Sequence, residues 1–251
     1  MTLFDYKIFA AIIIFLISIA ILYPLKKKHV FKHAESIELG EALASGIFLG
    51  AAFFHMLPDS IRTFYNLYSD WHYPLPEMIC IAGFLLFLFL ERLSLARVGT
   101  SKPSMPYVIA IILIIHAIIE GAALGIGTTL SEAIMLFIAI IAHKGSESFA
   151  LCVILLKNNL SFKRITFIII CFAIMTPLGI LFGTGINLFN KITHGELIAA
   201  MFNAFAAGTF LYISTLHHIQ FHQHVEERQG FDSLACLVFG LVMMAVLALW
   251  V

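Results

Sequence analysis

A chain of 251 residues with 15 basic and 15 acidic side chains has no net formal charge, and 61% of it is hydrophobic. Charged residues make up 12%, against about a quarter in a soluble domain of ordinary composition. The balance excludes a soluble globular domain, and no basic patch interleaved with aromatics points to nucleic acid; an all-α integral membrane protein is expected.

The first apolar run, 8–25, has Asp5 before it and Lys26, Lys27 and Lys28 after it, with no small-residue cleavage site. It reads as a first transmembrane helix with its N-terminus outside, not as a signal peptide. Further apolar segments of spanning length follow at 38–57, 77–97, 106–127, 132–156, 165–188, 197–217 and 233–251, which makes eight. Pro58, Pro76 and Pro106 mark segment ends, and Pro177 lies inside the sixth, where neighbours must satisfy the freed carbonyl. The connections are short, so the whole of 1–251 is expected to form one transmembrane domain.

Positive charges test the orientation. With the N-terminus outside, the inner connections hold Lys26, Lys27, Lys28, Lys32, Arg92, Arg97, Lys102, Lys157, Lys163, Arg164 and Arg228. The outer regions hold only Lys7, Arg62 and Lys191. This asymmetry puts both termini outside. Cys80, Cys152, Cys171 and Cys236 form no C-x-x-C pair and read as small packing residues. Gly46–Gly50, Gly121–Gly125 and Gly179–Gly183 have the spacing of close helix packing. There is no phosphate-cradling loop of P-loop type.

Segments four and five carry the chemistry. Segment four reads IIHAIIEGAALGIG and segment five reads IIAHKGSESFAL. Each contains His-x-x-x-Glu: His116 with Glu120, and His143 with Glu147. At four-residue spacing both side chains lie on one helix face, one turn apart. The two helices are consecutive and joined by a short loop, so they are antiparallel neighbours, and both motifs fall near mid-depth. Two imidazoles and two carboxylates then converge on one point. Unpaired carboxylates in hydrocarbon would each cost several kcal/mol or become protonated. A dication offsets that cost, and this mixed nitrogen and oxygen set suits Zn2+, with Fe2+, Mn2+ or Cd2+ also fitting. A structural His–Glu network or a proton relay would use the same groups.

Lys144 sits beside His143 and three residues before Glu147, too deep to reach either interface. It is expected to pair with Glu147 or another carboxylate, or to stand as a fixed charge in place of a second metal ion. His55 and Asp59, four apart at the outer end of segment two, form a cation-collecting pair at an entrance or a pair that steadies a loop. Segment seven runs into TLHHIQFHQHVEERQ, with His217, His218, His222 and His224 at the inner side. Such a tract binds metal weakly or is simply solvated.

HAIIEGAALG and HKGSESFAL resemble the fourth and fifth helices of ZIP (Zrt/Irt-like) metal transporters. HMLPD at 55–59 resembles the end of that family's second helix, and AGTFLYI at 207–213 its seventh. The likeness covers the whole chain. It implies eight helices in a 3+2+3 arrangement, a multi-pass protein of the cell membrane with both ends outside, and a homodimer in the lipid bilayer. It also implies a metal site of His116, Glu120, His143 and Glu147, and a bundle holding helices four and five that slides against a scaffold. Members with two metals use a second ligand directly after each first one; here those positions are Ala117 and Lys144, which fits a single-metal member. The resemblance supports His55 and Asp59 at the entrance, and His217 and His218 near the inner exit. The connection 98–105 is short and has no histidine, where the family often has a long His-rich loop.

The expected function is secondary transport of divalent metal, zinc first, into the cytoplasm. Zinc is cargo, and no organic cofactor is expected. An intramembrane metalloenzyme would need an open coordination position and a base, and the chain has no His-Glu-x-x-His motif. A proton-coupled carrier without metal would use the carboxylates as a relay.

Overall fold

The computed structural model describes residues 2–26, 34–69, 73–97, 105–189, 195–217 and 227–249. Among them every regular element is helical. The helices are α1 (Leu3–Ala20), α2 (Leu22–Lys26), α3 (Ala34–Ala51), α4 (Leu57–Leu67), α5 (Leu75–Arg97), α6 (Met105–Ile126), α7 (Leu130–Lys157), α8 (Phe162–Phe189), α9 (Gly195–Tyr212) and α10 (Glu227–Leu247). A π-helical turn, Ala52–Met56, joins α3 to α4, and another, Ile213–His217, extends α9.

Six stretches of the described residues are long and apolar enough to cross a membrane: Leu3–Lys26, Ile37–Leu67, Pro106–Ile126, Leu130–Lys157, Phe162–Ile186 and Leu197–Thr215. A shorter apolar helix covers Phe231–Leu247. The third expected segment is the helix α5, which carries Glu77, Glu91 and Arg92 among its apolar residues. The apolar helices agree with an integral membrane protein.

The chain groups into two compact units. The first comprises 1–32, 103–193 and 251, and so holds α1, α2, α6, α7 and α8. Helices α6 and α8 meet along a glycine seam. A Cβ added at Gly121 would strike the Thr176 carbonyl, and one at Gly179 the Ile118 carbonyl, so the backbones touch where only hydrogen fits. Helix α1 packs on α7 and α8, with Tyr6 edge-on to Phe137 at 5.8 Å. Tyr6, Ala10, Ile14, Leu124, Ala133, Ile140 and Ile180 form the core of this unit.

Local signals start and stop these helices. Thr2 and Asp5 form a capping box, so α1 begins at Leu3. Lys7, expected with the outer-region charges, therefore lies inside the helix and is buried. Its Nζ donates to the Gly125 and Gly127 carbonyls at 2.6 and 2.8 Å, closing the C-terminal end of α6. Thr129 caps α7 by accepting from the Glu132 amide. The same helix ends in a Schellman motif: Asn159 adopts φ 56°, its amide bonds the Leu156 carbonyl, and the Leu160 amide bonds the Leu155 carbonyl.

The second unit comprises 33–102 and 194–250, and so holds α3, α4, α5, α9 and α10. Close approaches recur: Gly46 lies against the Leu237 carbonyl in the α3–α10 seam, and Gly208 against the Cys80 carbonyl between α5 and α9. The Ser60 hydroxyl donates to the Ala200 carbonyl at 2.6 Å. Phe48 packs on Phe210, and Phe84 and Phe87 pack on Tyr212.

Two boundaries differ from expectation here. Pro58 does not end the second segment, because the rod runs on to Leu67. The π turn before it shifts carbonyl partners by one residue, so a position without N–H sits at the start of α4, where proline is tolerated. Helix α10 begins at Glu227, six residues before the expected start of the last segment. All four cysteines are free.

Candidate metal centre

The two His-x-x-x-Glu motifs face each other inside the first unit. Each lies one helical turn long on its own helix, α6 or α7, and the Gly127–Thr129 connection brings the two helices side by side. His116, Glu120, His143 and Glu147 are all buried. One ligand atom from each lies within 4.8 Å of all the others.

The contacts divide each carboxylate between two tasks. Glu120 Oε1 is 2.7 Å from His143 Nε2 and 4.0 Å from His116 Nε2. Glu147 Oε1 is 3.2 Å from His116 Nε2 and 3.5 Å from His143 Nε2. The two Oε1 and two Nε2 atoms thus form one cluster. The Oε2 atoms point elsewhere, both to Lys144 Nζ, at 2.9 Å from Glu120 and 2.8 Å from Glu147. Lys144 therefore pairs with Glu147, as its spacing predicts, and with Glu120 across the helix pair as well.

Donors about 2.0–2.1 Å from a tetrahedral zinc lie about 3.4 Å apart. Two of the four histidine–carboxylate separations, 3.2 and 3.5 Å, already match that edge. The contacts at 2.7 and 4.0 Å lie on either side of it. With neutral imidazoles, two carboxylates and one ammonium leave one negative charge unbalanced. A buried charge without a partner is costly, and a dication satisfies it.

His55 and Asp59 belong to the second unit. His55 lies in the π turn Ala52–Met56, with Nδ1 2.8 Å from Asp59 Oδ2, and Arg62 reaches the other Asp59 oxygen at 3.9 Å. At the inner side, His217 ends the π turn Ile213–His217, while its side chain and His218 lie outside the described residues, as do His222 and His224.

One contact at the centre and one elsewhere in the same unit escaped the sequence reading. Phe172 of α8 places its ring centroid 4.6 Å from Lys144 Nζ. One phenylalanine among many in an apolar helix carries no signal. Lys7 was legible in principle, because Thr-x-x-Asp at 2–5 marks a helix start that encloses it.

Two buried histidines, two buried carboxylates and a buried lysine on apolar helices define a multi-pass membrane protein with a compact polar centre. The ZIP zinc transporter family model matches residues 4–106 and 100–248, and the chain belongs to that family. It is 27% identical to zinc transporter ZIP1 of Takifugu rubripes, covering 86% of each chain. It is 25% identical to human zinc transporter ZIP2, covering 87% of each. It is also 29% identical to zinc transporter 11 of Arabidopsis thaliana, covering 84% of this chain and 76% of that one. The family is one of transporters, as expected, and the metalloenzyme alternative falls away.

Proposed function

We propose that the chain is a secondary transporter that carries divalent metal, zinc first, into the cytoplasm through the cluster of His116, Glu120, His143 and Glu147. The observation that carries this reading is that His116, Glu120, His143 and Glu147 each bring one ligand atom within 4.8 Å of the other three, buried in a chain of this family. The names of its relatives support zinc as the cargo.

The cation takes the place of the contact between His143 Nε2 and Glu120 Oε1 and draws the four donors together. Lys144 keeps its hold on the Oε2 atoms and stands where a two-metal member would carry its second ion. Nitrogen and oxygen donors without thiolate bind firmly enough to capture and loosely enough to release. The ligands and Lys144 lie within one compact unit, which supports a motion in which that unit carries the cargo as a body. His55 and Asp59 gather cations at the outer entrance, and His217 and His218 receive them at the inner exit. The chain acts as one transmembrane domain of eight crossings in a 3+2+3 arrangement, in the cell membrane, with both termini outside and paired as a homodimer.

The test is zinc uptake into proteoliposomes by the wild type and by His143→Ala. Wild-type flux that disappears in the variant is expected. Flux retained in the variant would overturn transport through this site. A proton flux that is insensitive to zinc in the wild type would favour a carrier without metal.

A further inference from the structure

The Lys144 ammonium has three N–H donors. Two are taken by Oε2 of Glu120 and Oε2 of Glu147, at 2.9 and 2.8 Å. The Phe172 ring lies against the same ammonium, with its centroid 4.6 Å away. This is well inside the roughly 6 Å reach of a cation–π contact, which is strongest when the cation is desolvated. Lys144 and Phe172 are both fully buried, at 0% exposure. Phe172 belongs to neither ligand helix; it comes from α8, which the glycine seam sets against α6.

We propose that Phe172 is a positioning residue for the metal site: its ring face holds the Lys144 ammonium on the Oε2 side of both carboxylates, so that the Oε1 atoms stay turned to the imidazoles and the cargo. This deepens the metal reading above and rests on it. A lysine has a flexible four-carbon stem and a compact charge. Released from the ring, the ammonium swings towards the Oε1 atoms and competes with the dication for the same lone pairs. Phe172 thus acts through Lys144, without touching the metal.

Stepwise fluorination of the ring at position 172 tests the idea, because it drains the negative face with little change in size. Zinc affinity, measured by calorimetry on the full-length protein in detergent, is expected to fall with each fluorine. The fall reaches about 3- to 30-fold in Phe172→Leu. In a Lys144→Met background the dependence on fluorine should vanish. A second reading needs no metal: the ε-methylene of Lys144, seen by NMR in 13C-labelled protein, should carry an upfield ring-current shift that Phe172→Leu removes. A shift that survives Phe172→Leu would overturn the contact. Equal zinc affinity across the fluorinated series would overturn the positioning role. A wild type that binds no zinc while keeping the ring-current shift would overturn the metal reading and this role with it, leaving only a packing contact.

Discussion

At the scale of single residues, the centre is organised by the two oxygens of each carboxylate, which have different partners. Four of its members were legible from spacing alone, since residues four apart on a helix must share a face. The Lys144–Glu147 contact was legible for the same reason, at a spacing of three. The Lys144–Glu120 contact and the Phe172 ring were not, because each joins residues on different helices and no local period announces it. Lys144 bridges two buried carboxylates, so removing it leaves them uncompensated. Lys144→Met should lower the stability of the zinc-free protein by about 3–5 kcal/mol. Thermal unfolding in chelator reads this directly, and added zinc should restore much of the loss. An unchanged melting temperature in chelator would mean that the ammonium does not balance the pair.

At the scale of elements, helices were readable as long apolar runs, and their ends were not always. The rod through Pro58 was hidden because a π turn has no sequence signature comparable to a cap. The start of α10 was hidden because Glu227, Arg228 and Asp232 look like a solvated loop. Glycine spacings predicted close helix approach, and the seams at Gly46, Gly121 and Gly179 bear this out. Two glycines give a sharper contrast. A Cβ at Gly121 meets the Thr176 backbone, whereas one at Gly145 meets nothing within 4 Å. Gly121→Ala should therefore destabilise by about 1–3 kcal/mol, since backbone must move. Gly145→Ala should stabilise α7 by about 0.5–1 kcal/mol. Unfolding measurements on the two variants side by side check both signs, and a matched loss in both would contradict the seam.

At the scale of the whole molecule, a ligand that binds only the folded centre raises the stability of everything coupled to it. Zinc at 100 times its dissociation constant should add about 2.7 kcal/mol, and chelation should remove it. The same titration on Glu147→Gln should leave the melting temperature unmoved at that concentration; an equal shift would place the bound zinc elsewhere. The division into two units has another consequence, one that concerns the order of synthesis. The first unit is made of 1–32 and 103–193, and the second of 33–102 and 194–250, so their segments alternate along the chain. Neither unit can therefore be finished before the other is begun. Once α1 has emerged it waits for α6, α7 and α8 while half of the second unit is made. A ribosome that stops after residue 193 has synthesised every described helix of the unit that carries the His–Glu cluster and only half of its companion. Nascent chains of that length should thus already bring His116, Glu120, His143 and Glu147 together, with α3, α4 and α5 still lacking α9 and α10.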